Sequence, residues 1–557
     1  MRKTLAVLAL LVAAILTQAA GRAQAPGAPR LLVILVIDQM RADYVDKYGH
    51  QWTRGLRRLV DEGAWFRTAA YPYMNTVTCA GHATIATGAL PYAHGVILND
   101  WWDRDAGRSV PCTQDPDFPY ISYARPLRGG ASPRFLRLPT LADELRSQSP
   151  IRPRVASLAM KDRSAIMMGG RRPDVVAWYN MTAGGLVTSS FYGPSPTPFV
   201  QDYTARHPVE ADFGRTWTRA MPADRYLFDD DASGETPPAP WTASFPHVVQ
   251  AFPGGKPQLP YELWRETPFE DAYLLGLVRA TIDALRLGSG PGTDLLAVSF
   301  SALDHIGHDF GPWSHEVQDA LFHLDGIVGE LLGLLDRAAG RDGYVLSFTS
   351  DHGITPIPEV AARSGIESGY IAPAEVEAKA QAALAAALGP GKYVAKVTHT
   401  NVYFAPGVSA KLKEHPAALR SAIESIATLP GILRVVDGAT LGLATAPSSP
   451  LLKAAALSYD PIRSGDLILM PRPYWVIKGE DITTHGTANA ADARIPLILF
   501  GRGIKRGEHF QSASPADIAP TLAFLAGVTM SSPDGRILQE ALAAPPSRES
   551  SRRAGGQ

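Results

Sequence analysis

Cysteine is nearly absent from this chain, with only Cys79 and Cys112 among 557 residues. So low a count excludes a small fold stapled by disulfides, and leaves open one bridge or two free buried thiols. A long uncharged apolar run is missing too. The run from Leu5 to Leu16 stops well short of the roughly 20 residues that a bilayer-spanning helix needs, and no other stretch comes closer. Charge of one sign is not in excess, since 53 Lys and Arg face 54 Asp and Glu. That balance removes the global basic field on which nucleic-acid binding depends, so no nucleic-acid partner is expected and any charge preference must be local to a pocket. Internal repeats and a long central linker are also lacking, which favours one large core with insertions over a string of separate domains.

What is present begins at the N-terminus. Arg2 and Lys3 precede the apolar run, and small residues at Ala19, Ala20, Ala23 and Ala25 follow it. Residues 1–24 therefore read as a cleaved secretory signal, giving a periplasmic or secreted protein with no stable membrane anchor. At the other end, residues 545–557 are polar and poor in apolar side chains, and a flexible tail is expected.

Between these ends, short branched-rich runs alternate with helical patterns. Leu31–Ile37, Val155–Met160, Leu295–Phe300, Tyr344–Phe348 and Pro496–Phe500 suit strands buried on both faces. Helices are expected over 51–62, 268–287, 316–338 and 516–526. This alternation predicts an α/β fold, a mostly parallel central sheet flanked by helices. Residues 179–265, rich in Pro, Gly and aromatics, are expected to form long ordered loops over the active-site face. Two Ala-rich helical stretches, 373–387 and 409–427, with strands at Val397–Phe404 and Ile432–Val436, predict a smaller inserted lobe over 365–475. The catalytic core then comprises 25–364 and 476–544.

In such sheets ligands bind beyond the carboxyl ends of the strands. Asp38, Lys161, Asp304, Asp351 and His352 each follow a predicted strand directly or within a few residues, so one sheet edge would collect them. Taken singly, an Asp after a strand is a helix cap and an Asp-His-Gly is a turn. The combination has metal spacing. Asp304 and His308 lie four apart, so one helical turn can aim both at one ion, with His485 of Thr484-His485-Gly486-Thr487 as a third ligand. Asp351, His352 and Asp38 suit a second ion. Zinc takes imidazole and carboxylate in this way, so two zinc ions per chain are expected. The run Asn75-Thr76-Val77-Thr78-Cys79-Ala80-Gly81-His82 offers Thr78 as a hydroxyl nucleophile opening a small-residue helix. His82, His94 and His305 are read as supporting or structural.

The order and spacing of these segments resemble the alkaline phosphatase superfamily, and within it the phosphate-irrepressible alkaline phosphatases with a threonine nucleophile, of the PafA type. The likeness runs from Asp38 to the strand at Pro496. It implies that Asp38, Thr78, Asp351 and His352 hold one zinc, and Asp304, His308 and His485 the other. It implies further that Asn99, Lys161 and Arg163 bind the substrate phosphoryl group. Physical chemistry agrees, because charge on the equatorial oxygens of a phosphoryl group in transfer wants an amide donor and cations. Lys161 and Arg163 are two apart, so in an extended segment both face one phosphate.

A modified-nucleophile sulfatase is disfavoured, since Ala80-Gly81-His82 replaces the Cys-x-Pro-x-Arg pattern. The expectation is a broad-range alkaline phosphatase that hydrolyses small phosphate monoesters through a phosphothreonine, releases inorganic phosphate, works as a monomer and gains activity with pH. The alternative is a nucleotide pyrophosphatase/phosphodiesterase of the same superfamily.

Overall fold

Strand Leu31–Ile37 shows most economically how the sequence builds this fold. All seven of its side chains are buried. Leu31, Val33, Leu35 and Ile37 enter one hydrophobic core, with Leu274 and Val278 of helix Phe269–Leu285 and Val328 and Leu331 of helix His315–Ala339. Leu32, Ile34 and Val36 enter a second core on the opposite face, with Ala80 and Ala83 of helix Thr78–Thr87 and Leu522 of helix Ile518–Ala526. The period of two thus splits one apolar run between two layers of helices, and each fully buried Leu, Ile or Val contributes about 1.5–3 kcal/mol. The computed structural model that shows this describes residues 27–232, 234–250, 258–442 and 449–543. The expected signal segment at 1–24 and the tail at 545–557 lie outside the described residues.

Among the described residues the central sheet has eleven strands. Its middle runs Tyr344–Thr349, Leu31–Ile37, Asp294–Phe300, Val155–Ala159 and Val175–Asn180, all parallel. Both margins carry antiparallel strands, including Leu497–Gly501, which pairs antiparallel with Tyr344–Thr349. The register decides where the site lies. Ile37 pairs with Phe300, Val36 with Thr349, and Ser299 with Ala159, so four chain segments leave the sheet side by side.

A separate four-stranded sheet belongs to the lobe, in the order Val394–Thr398, Asn401–Phe404, Leu467–Pro471, Ile432–Asp437. It packs with helices Pro373–Leu388 and Pro416–Ala427 around a core of its own. Two details differ from the sequence pattern. The strand expected over Val397–Phe404 is a hairpin, because His399 takes a left-handed φ of 54° and reverses the chain. The helix expected over 409–427 is two, Val408–Glu414 and Pro416–Ala427, because Pro416 has no N–H and pushes His415 out of the helical region. Within 179–265 the chain is more regular than loops. It includes helices Pro198–Arg206 and Leu259–Arg265, and the strand pair Thr216–Trp217 with His247–Val248. Part of this region braces helix His315–Ala339: Trp217 donates to Asp319, and His247 meets Glu316 at 2.9 Å.

Candidate active site

Thr78 is the first residue of its helix, after Val77 in extended conformation, and its hydroxyl lies 3.2 Å from His352 Nε2. The helix can sit this deep because Gly81 has no side chain: a Cβ there would stand 2.3 Å from the Asp351 carbonyl oxygen. Two groups of residues that could hold a cation overlap at His352, which meets the hydroxyl: Asp38 with Asp351 and His352, and Asp304 with His352 and His485. His308 adjoins the second, with Nε2 3.4 Å from Asp304 Oδ1. All of these side chains are buried except that of His308, which is partly so.

The histidine tautomers suit metal binding. His308 Nδ1 meets the Thr483 carbonyl at 2.9 Å, His352 Nδ1 that of Gly353 at 3.0 Å, and His485 Nδ1 that of Thr76 at 2.8 Å. Each carbonyl fixes a proton on Nδ1, so Nε2 is the nitrogen turned toward the carboxylates, where a proton or a metal can sit. The carboxylates are equally telling, since Asp38 Oδ1 and Asp351 Oδ2 are buried without a hydrogen bond. Burial, and then the charges of Asp304 and Asp351, push the Asp38 carboxyl well above its ordinary range. Burial opposes the Asp304 carboxylate too, but Lys161 and His308 outweigh it and hold that group far down. Burial disfavours the His308 imidazolium, yet Asp304 and Asp481 push it up to about 9. Three clustered carboxylates, two orphaned oxygens and three oriented imidazoles fit a pair of divalent cations.

Lys161 leaves the end of strand Val155–Ala159 in extended conformation, 2.7 Å from Asp38 and in contact with Asp304. Arg163 is not extended as expected. It lies in the first turn of helix Asp162–Gly169, which the acidic Asp162 suits, and both side chains still line one cavity. Asn99 comes from the turn before strand Asp100–Asp103, and its side-chain oxygen accepts from the N–H of Cys79 at 2.8 Å. Cys79 and Cys112 form a disulfide, so the bridged alternative holds in the structure.

Other residues complete the site without having been singled out from sequence. Gln39, at a left-handed φ of 67°, donates its backbone N–H to Asp351 and its side-chain amide to Asp304, tying the two ligand groups together. Its position directly after Asp38 was the available signal. His82 lies within 2.8 Å of the Thr78 carbonyl and 3.3 Å of Asp351, and His305 within 3.0 Å of Glu270, which agrees with supporting roles. His94 is remote from the ligands and held by Thr84 and the Val96 N–H. The lobe also reaches the site: Thr400 donates to Asn75 at 3.0 Å, and His399 fills the space a Gly486 side chain would need. Sequence order could not show that contact.

Comparison with known proteins follows the same lines. The family model described as type I phosphodiesterase / nucleotide pyrophosphatase matches residues 32–493. Alkaline phosphatase PhoK of Sphingomonas sp is 31% identical, covering 89% of this chain and 88% of the relative. Alkaline phosphatase PhoV of Synechococcus elongatus is 29% identical, covering 91% and 92%. The crystal structure of wild-type alkaline phosphatase PafA superposes with a TM-score of 0.85 at 28% identity, over 93% of this chain and 99% of that one. A second solved PafA structure carries four substitutions, at a threonine, an asparagine, a lysine and an arginine. Murine ectonucleotide pyrophosphatase / phosphodiesterase 5, at 15% identity and a TM-score of 0.52, shares the fold. On this breadth of match, the chain belongs to the type I phosphodiesterase / nucleotide pyrophosphatase family, on the branch of the PafA-type alkaline phosphatases.

Proposed function

We propose that this chain is an exported two-zinc alkaline phosphatase that hydrolyses a broad range of small phosphate monoesters through a phosphothreonine. The observation that carries the proposal is the Thr78 hydroxyl, 3.2 Å from Nε2 of His352, the residue shared by two groups of side chains that could hold a cation. Asp38, Asp351, His352 and Thr78 would hold one ion, and Asp304, His308 and His485 the other. Bound there, zinc would supply Lewis acidity to the attacking and departing oxygens.

The remaining work falls to the chain. The helix start at Thr78 favours negative charge on its Oγ, which bonds to phosphorus as the ester P–O bond breaks. The Thr78 hydroxyl gives up its proton to solvent, and the departing alkoxide takes one from water. Water then attacks the phosphothreonine, returns Thr78 and releases inorganic phosphate. Asn99 contributes an amide donor, while Lys161 and Arg163 face the charged equatorial oxygens. The four residue types substituted in the solved PafA variant are those of Thr78, Asn99, Lys161 and Arg163. A diesterase of the same family is the second reading, supported by the description of the matching family model. It has less use for the Lys161 and Arg163 pair, because a diester carries an esterified oxygen where a monoester carries charge.

The deciding measurement is hydrolysis of p-nitrophenyl phosphate against bis-p-nitrophenyl phosphate by the zinc-loaded protein and its Lys161→Ala, Arg163→Ala double variant. Monoester preference that collapses in the variant is expected. Diester preference in the wild type, untouched by the variant, would move the chain to the diesterase branch.

A further inference from the structure

Beside the candidate active site lies a cavity of about 320 Å3, at the lower end of the range for small-ligand pockets. Lys161, Arg163 and Arg265 line it, with Asn180, Trp178 and Tyr120. Three cations thus share one small space, and among the described residues Asp162 is the one carboxylate in its lining. Asp162 already accepts from the Thr113 hydroxyl at 2.6 Å and stands 3.9 Å from Arg163. Lys161 is engaged by Asp38 and Asp304. Arg163 is matched only by that long contact with Asp162, and Arg265 makes no ion pair among the described residues. Arg163 Nε is buried with no hydrogen bond. Arg265, the last residue of helix Leu259–Arg265, donates from Nη1 to the Met181 sulfur at 3.9 Å. Glu266 and Glu270, which feel its charge, form no ion pair with it among the described residues.

A guanidinium that faces a cavity without a carboxylate partner is suited to bidentate capture of an oxyanion brought by a ligand. Trp178 and Tyr120, edge to face at 6.1 Å, give the same cavity an apolar wall for a short carbon chain.

We propose that this cavity is a second anion subsite and that Arg265 is its specificity residue. Preferred substrates are then phosphate monoesters whose leaving group carries a second phosphate. Arg265 grips that distal phosphate while Lys161 and Arg163 hold the phosphoryl group in transfer. The proposal rests on the phosphatase reading above and names its substrate class.

The test compares propyl phosphate with propane-1,3-diol bisphosphate as substrates of the zinc-loaded wild type, Arg265→Ala and Arg265→Lys proteins. The wild type should favour the bisphosphate at least tenfold in kcat/KM, mainly through KM. In Arg265→Ala that ratio should fall to near one, and Arg265→Lys should keep part of it, because the charge stays while the fork is lost. Calorimetry on the Thr78→Ala protein should show the same order of affinity without turnover. Equal kcat/KM values in the wild type, or a loss in Arg265→Ala that leaves the ratio unchanged, would overturn the subsite alone. Failure to hydrolyse these esters and p-nitrophenyl phosphate alike would overturn the phosphatase reading and the subsite with it.

Discussion

The backbone N–H of Cys79 donates to the side-chain oxygen of Asn99 at 2.8 Å, so the residue after the proposed nucleophile sets the orientation of the proposed phosphoryl-binding amide. With its oxygen engaged, the Asn99 amide presents its NH2 group elsewhere. The tie is doubled, because the N–H of Cys112 donates to the Asn99 carbonyl at 2.8 Å and Cys112 is bridged to Cys79.

The bridge should therefore act on catalysis through Asn99. Replacing both cysteines, Cys79→Ser with Cys112→Ser, is expected to lower kcat on p-nitrophenyl phosphate about tenfold, and Asn99→Ala about 100-fold, as for loss of one oxyanion donor. In a double-mutant cycle the cysteine effect should vanish once Asn99 is already alanine. Independent, multiplying losses would show that the bridge serves the fold alone.

Gly81 limits how near the Thr78 helix comes to Asp351. A methyl group there meets the Asp351 carbonyl oxygen at 2.3 Å and its Cβ at 2.7 Å, so one of the two must retreat. Gly81→Ala should lose at least 100-fold in kcat/KM, since misplacement by about 1 Å costs that much. Bound zinc measured by atomic absorption should fall as well. Full zinc content with wild-type activity would refute the close-contact argument.

Metal removal should cost stability in addition to activity. Asp38, Asp304 and Asp351 are buried together, and a ligand held only by the folded state stabilises it by about 4 kcal/mol at a thousandfold excess over Kd. Chelation should lower Tm by several degrees, and zinc should restore it. An unchanged Tm on complete removal of metal would contradict the assignment.

Glu235 provides a pH test away from the site. Both of its carboxylate oxygens are buried without hydrogen bonds, and burial, then Asp231 and Asp230, push it up to about 8 from an ordinary 4.5. Because the folded value is the higher, the stability of the neutral acid is whole below about pH 4.5 and is lost as pH rises through 8. Glu235→Gln should match wild type in Tm near pH 4.5 and exceed it by a few degrees at pH 9. Equal Tm values at both would show that water reaches the carboxylate.

Legibility in the sequence followed local physics. Strands 31–37, 294–300 and 344–349 were readable because burial on both faces demands an unbroken apolar run, and the residues proposed as ligands stood out because several of them follow those runs closely. Arg163 was misplaced as extended, since the turn from strand to helix falls between it and Lys161. His399 and Pro416 broke elements whose apolar pattern ran on without them. Gln39 went unread because its role depends on a left-handed backbone and on two partners more than 260 residues away.

The order of residues alone was enough to specify the alternation of strands and helices and to single out the acidic, histidine and threonine side chains that the proposal uses, because these rest on periodicity and on the chemistry of single side chains. Folding alone decided that His485 orients on the Thr76 carbonyl, that Cys79 meets Cys112 and that Arg265 joins Lys161 and Arg163 around one cavity. Those relations join segments separated in the chain, and only sheet register and packing bring them together.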